Sequence, residues 1–186
     1  SSPADVTLAF AMKPSFDTRA PLSVIKTSVA EDVDFDEFVE GVQARVMRGR
    51  SGEKSPSDKE ASLVARLPLF LVEAGVYAVR ALDSLGLAPA AFTRPDPMHA
   101  SVFVANLGSV GLDAAWHHLY EYGNCPIFVT IGRIQKLPIV VGDRVEAREA
   151  VRLRYTYDER VEDGLYAGRA LEALQGRIED PSAWIS

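Results

Sequence analysis

Tyr155–Gly168 reads Y-T-Y-D-E-R-V-E-D-G-L-Y-A-G. It opens on the end of an alternating segment, Val151–Tyr157, whose period of two predicts a strand. It closes on a helical pattern, Leu165–Ile178. Leu165, Ala170, Leu171, Leu174 and Ile178 share one face there and are expected to point inward. Between the two lies a charged turn, Asp158 to Gly164. Arg160 is expected to anchor it by pairing with a carboxylate, and Gly164 permits a tight start to the helix. Glu179-Asp180-Pro181 ends the helix, because proline cannot continue one.

Two further strings frame this one. Ser101–Gly111 reads S-V-F-V-A-N-L-G-S-V-G, an apolar strand ending in a glycine turn. From Pro126 the chain reads P-I-F-V-T-I-G-R-I, a strand closed by Gly132-Arg133-Ile134. Together the three strings resemble the signatures of the dihydrolipoamide acyltransferases and chloramphenicol acetyltransferases. That family carries D-H-R-x-x-D-G before its last helix and [ST]-N-x-G on a strand. Asp158, Arg160, Asp163 and Gly164 keep the first pattern; Asn106, Leu107 and Gly108 keep the second. The resemblance is close over Ser101–Trp184 and looser before Arg50. It implies an α+β fold, a two-layer sandwich of a mixed sheet with helices on one face. It also implies a homotrimer or a multiple of one, with the active site between neighbouring subunits.

The same alignment exposes two departures. Glu159 stands where the family places its catalytic histidine, and Ala105 where it places a Ser or Thr hydroxyl. Acyl transfer from a thioester needs a base for the attacking group, and imidazole titrates near working pH. It also needs a donor aimed at the oxygen that becomes negative, and losing one such donor costs about 2.7–4 kcal/mol. A methyl group donates nothing. Glu159 could serve as a base if burial raised its pKa. Asp158 and Asp163 have the D-x-x-x-x-D spacing of heterocyclising relatives, but ordinary D-H-R-x-x-D members share it. In the resembled enzymes the Asp163 position holds the fold around the catalytic loop. Asp163 is therefore a candidate site residue beside Glu159 and Ala105, with Asp158, Arg160, Gly164, Asn106 and Gly108 as structural members.

Composition sets the outer bounds. The chain has 186 residues, 47% apolar and 25% charged, with a formal charge of −6, which suits one domain with a single core. Net acidity argues against nucleic acid, whose phosphates need a concentrated basic face. The lone Cys125 excludes an internal disulfide and fits a reducing, cytoplasmic setting. Ser1–Phe10 shows no basic-then-apolar leader. By resemblance the family's N-terminal part is lacking from residues 1–186, and another chain is one way to complete it.

Upstream, Val6–Met12 and Leu22–Val29 read as strands. Asp34 with Glu37 begins a helix that the apolar spacing carries to about Arg48, with Gly49 as its stop. Residues 60–87 form an apolar helical insertion that Pro68 breaks or kinks. The preferred reading is a helical pair covering a sheet. The sharper one is a contact with a membrane, an acyl chain or a partner helix through 63–87, although charges keep every uncharged run short of the ~20 residues a span needs. Gly142-Asp143 predicts a hairpin with a strand from Ile139. His117-His118, in a loop or short helix, point in different directions and make a poor metal pair; no metal site is read. His99 is expected at the surface, and Cys125 as a small buried residue.

The sequence thus supports two functions. The first is a non-catalytic oligomeric or acyl-carrier component. It holds no tightly bound cofactor but has a channel for coenzyme A or a lipoyl or pantetheine thioester. The second is an active acyltransferase using Glu159, or a residue of another chain, as base.

Overall fold

The computed structural model describes residues 6–13, 22–30, 32–51, 68–87 and 93–183. Its elements are β1 (Val6–Met12), β2 (Ser23–Val29), α1 (Phe35–Arg50), α2 (Leu69–Ser84), β3 (Val102–Asn106), β4 (Ile127–Ile131), β5 (Gln135–Val141), β6 (Arg144–Ala150), β7 (Leu153–Tyr157) and α3 (Gly164–Glu179). The main sheet has the order β2-β1-β3-β4-β7, and β5 and β6 form a separate hairpin. β3 runs parallel to β1 and β4, and both outer pairs are antiparallel, so the sheet is mixed.

Central position and alternation together create the core. Phe103 on β3 is paired in register with Phe128 on β4, and their rings stack at 4.9 Å. Ala9 beside them is fully buried, with Ala100 completing the cluster. Thr130 is buried too, and its hydroxyl donates to the Ala115 carbonyl at 2.7 Å, which removes the penalty for an unpaired polar group. The irregular segment between β3 and β4 folds back over this core. Its His117 ring lies 3.8 Å from Phe128 at 3° to it, and Tyr120 closes in beside both.

Asp34 caps the start of α1, accepting from the Asp36 and Glu37 amides at 2.9 and 3.2 Å. The helix ends at Arg50, about where the sequence places its stop. Gly49 lies against Met12: a Cβ on it would stand 2.3 Å from the end methyl of that flexible side chain. Pro68 begins α2 rather than kinking it; the expected first member of the helical pair lies outside the described residues. The strand expected from Ile139 begins at Gln135 and passes through Pro138. β5 pairs with β6 alone, so its outward-facing positions need no backbone donor and tolerate a proline, here Pro138 opposite Ala147. Val141 pairs with Arg144 across the Gly142-Asp143 turn.

The expectation of an inward face on α3 is also corrected. None of its residues is buried, and Leu165, Leu174 and Ile178 are 67%, 40% and 47% exposed. Its apolar stripe has the period of a packed helix, but among the described residues no apolar surface covers it. The described residues bury only six apolar side chains, namely Ala9, Met12, Ala100, Phe103, Ala114 and Phe128.

Candidate functional site

The glycine strings converge at one end of the sheet. Leu107 leaves β3 and donates its amide to the Ile131 carbonyl at the end of β4. Gly108 then passes so close that a Cβ on it would stand 2.5 Å from the Gly132 oxygen. Gly132 in turn has the Ala114 nitrogen 2.6 Å from where its own Cβ would be. Asn106 shapes the following turn of 3-10 helix: its Oδ1 accepts from the Ser109 amide at 3.0 Å, and its carbonyl accepts from the Ser109 hydroxyl at 2.7 Å. Ala105 lies just before this crossing, half-buried against the Phe103 cluster. Beside it, Asp113 accepts from the Ala114 amide and Gln135 and pairs with Arg152. The Ala114 hydrogen bond leads the causes that hold its carboxyl below the usual range.

The charged string sits elsewhere. Asp158 donates its amide to the Pro126 carbonyl, at the beginning of β4. Arg160 turns back on Asp158, with Nε 2.9 Å from both carboxylate oxygens, and this contact holds the Asp158 carboxyl down to about 2. Asp163 caps α3, accepting the Leu165 and Tyr166 amides at 2.9 Å each. Gly164 opens the helix, and the space a side chain would need is taken by the Tyr157 hydroxyl, 3.2 Å from a Cβ there. Glu159 is exposed, with a long contact of 3.4 Å from that same hydroxyl.

Ala105 and Glu159 are therefore not brought together within one chain. Ala105 is level with Thr130 on β4, which is level with Arg154 on β7. Glu159 follows beyond the far end of β7. The two are separated by on the order of 10 Å or more along the strands and by two strand spacings of about 4.8 Å.

Burial pushes the Cys125 thiol up, away from the reactive thiolate, and its Sγ donates to the Ile127 carbonyl. His117 and His118 serve the aromatic cover over the core. Among the described residues no cluster of three His, Cys, Asp or Glu side chains is arranged to hold a metal ion. No described helix is long and apolar enough to cross a membrane. His99 is not at the surface: its side chain is 7% exposed, with Asp83 and Asp96 against its two ring nitrogens. Asp96 and His99 are three apart in a proline-flanked turn, which hints at a local pair. Nothing in the sequence ties Asp83 of α2 to them.

Architecture and glycine crossing define an α+β domain of the chloramphenicol acetyltransferase-like fold. The model of the 2-oxoacid dehydrogenases acyltransferase (catalytic domain) matches residues 88–186, and the chain belongs to that family. The chain is 32% identical over 91 residues to the dihydrolipoyllysine-residue acetyltransferase component of the pyruvate dehydrogenase complex of Mycoplasma capricolum subsp. capricolum. That match covers 48% of this chain and 20% of the relative. It superimposes on the cubic core of a pyruvate dehydrogenase multienzyme complex with a TM-score of 0.61 at 15% identity. It superimposes also on the Azotobacter vinelandii dihydrolipoamide acetyltransferase, solved to probe a serine, a histidine and an asparagine in its catalytic mechanism, with a TM-score of 0.60 at 16% identity. Each superposition covers 97% of this chain but only 56% of the solved one, so the chain spans little more than half their length.

Proposed function

We propose that residues 1–186 are a single acyltransferase-like domain that has lost catalysis and serves as an oligomeric component binding coenzyme A or a lipoyl or pantetheine thioester. The observation that carries this reading is the pair of replacements on intact strings. The Azotobacter enzyme's histidine and asparagine are as far apart in sequence as Glu159 and Asp163. Asp163 still caps the helix and Asp158 still pairs with Arg160, so the turn's architecture does not depend on the missing imidazole. At the other end Ala105 offers no proton to an oxyanion. Losing that donor costs about 2.7–4 kcal/mol, and losing a positioned base a further ~10²–10⁴ in rate.

A homotrimer or a multiple of one is part of the proposal. Within one chain the two positions lie at opposite ends of the sheet, so an acyltransferase site needs a neighbouring copy to unite them. The bare face of α3 is a surface such a neighbour would cover. One relative forms a cubic core. A chain supplying the family's N-terminal part is a second partner this reading admits. Residues 60–87 are taken as an apolar helical insertion, and the single Cys125 as the mark of a reducing cytoplasmic compartment.

Thiol release from acetyl-CoA with dihydrolipoamide and amine acceptors, run beside calorimetric coenzyme A binding, tests the reading. Binding without release supports it, and the double change Ala105→Ser with Glu159→His is then expected to produce measurable transfer. Release that Glu159→Gln abolishes would overturn it in favour of an active enzyme with a carboxylate base.

A further inference from the structure

The most enclosed ionic cluster among the described residues lies away from Ala105 and Glu159, where α2 meets the turn leading into β3. His99 is its centre. Its Nε2 stands 3.0 Å from Asp83 Oδ1 on α2, and its Nδ1 stands 3.2 Å from Asp96 Oδ2. The two carboxylate side chains are only 25% and 20% exposed.

A neutral imidazole has one N–H and one lone pair. It can donate to one of these carboxylates but must set its lone pair against the other. Both carboxylates are satisfied only by a ring that carries two protons, or by a neutral ring with the second proton on a carboxylate. Moving the extra proton onto Asp96 is opposed by the donors already aimed at that group. The Met98 amide reaches its Oδ1 at 2.9 Å. Tyr122 also bonds to it, and burial, followed by this hydrogen bond, pushes the phenol up to about 12, so its proton stays in place.

The remaining groups around the ring are accounted for. Tyr122 meets His99 edge-on at 5.6 Å, and Arg80 of α2 lies over the Tyr122 ring at 5.7 Å. The Lys26 ammonium on β2 donates to the backbone carbonyls of His99, Asp96 and Thr93, with Cys125 beyond it. Lys26 thus fixes the turn itself, while His99 links the turn to the helix.

The rest of the seam is loosely packed. An apolar groove of about 400 Å³ runs between α2 and Tyr122, lined by Leu71, Val72, Gly75, Val76 and Val79. No residue of α2 is buried. The described polar and cation–π ties from α2 to the body are those of Asp83 and Arg80.

We propose that doubly protonated His99 is a latch that fastens α2 to the sheet-bearing body through Asp83 and Asp96, and that α2 loosens when the ring loses a proton. The neutral ring keeps one carboxylate and repels the other. The attachment is complete only while both ring nitrogens carry protons.

Hydrogen exchange of the α2 amides, corrected for the intrinsic pH dependence of exchange, is to be followed across pH on the whole chain. Nitrogen-15 spectra of the His99 ring are read in parallel. Protection of α2 is expected to fall about tenfold as the ring deprotonates, with β3 and β4 unchanged, as suits the loss of a charge-assisted hydrogen bond. His99→Gln should give low α2 protection at every pH. Should that variant fail to fold, Asp83→Asn replaces it, with the same flat profile expected. A singly protonated ring while α2 is still protected would overturn the latch. So would α2 protection that ignores the ring's titration, or a pH dependence that survives in either variant.

Discussion

β3 and β4 are finished structures, and α3 is not. On the strand pair every local preference is met by a tertiary partner. Phe103 lies on Phe128, the Thr130 hydroxyl has its carbonyl, and Gly108 and Gly132 let two backbones cross in near contact. On α3 the local preferences are met equally well, by the Asp163 cap and a clean apolar stripe, yet no residue is buried. Local order and tertiary cover are separate requirements, and in this chain they part company at Asp158. A helix of this kind draws most of its stability from the surface it packs on. Its stripe lacks that surface among the described residues.

The largest test of that contrast sets Phe103→Ala against Leu174→Ala. Phe103 is 1% exposed, and its truncation is expected to cost about 3–5 kcal/mol in urea denaturation. Leu174 is 40% exposed, and its truncation is expected to cost under about 0.5 kcal/mol in the isolated chain. Equal losses would break the comparison. A Leu174→Ala loss that appears only at high protein concentration, with dissociation seen by sedimentation, would sharpen it by showing α3 covered by a second copy.

Glycines provide the next test, because one residue type plays opposite roles in the two regions. Gly108→Ala sets a methyl against the Gly132 carbonyl and is expected to cost about 1–3 kcal/mol through forced backbone movement. Gly168 on α3 has open space around its Cβ position, so Gly168→Ala is expected to stabilise by about 0.5–1 kcal/mol. Thermal melts of the two variants should shift in opposite directions. A shift in the same direction would mean that α3 is packed after all.

What the sequence displayed follows the same division. The strands around Phe103 and Phe128, the Gly142-Asp143 hairpin and the Asp34 cap were all legible, because each is decided by residues a few positions apart. The family strings were legible too, and Gly108 and Gly132 prove to be two halves of one crossing. Pro138 concealed the first half of β5, since proline excludes a central strand but not a hairpin edge. His99 was misplaced because its second carboxylate comes from α2. The inward face of α3 could be read as a pattern, but a pattern does not name its cover. Ala105 and Glu159 were found by alignment. Their placement at opposite ends of one sheet became visible only with the strand register.

The smallest effect concerns the turn where the two regions separate. Arg160 holds the Asp158 carboxyl down to about 2, yet its own side chain is 89% exposed. Water screens such a pair, so its worth lies in shaping the turn rather than in stability. A depressed carboxyl stabilises the folded turn above the ordinary carboxylate range, and that contribution fades as pH falls toward about 2. Arg160→Ala is therefore expected to raise the Asp158 titration, followed by carboxyl-carbon NMR, toward the ordinary carboxylate range, while the backbone amide of residue 160, which still donates to Asp158 Oδ1, keeps it somewhat below that range. Unfolding midpoints at neutral pH should barely change, and the Leu165 and Tyr166 amides should keep their bonds to Asp163. If α3 instead lost its protection in this variant, the ion pair would be aiming the helix as well as closing the turn. The open face of α3 would then be set from the Asp158–Arg160 pair and not from the Asp163 cap.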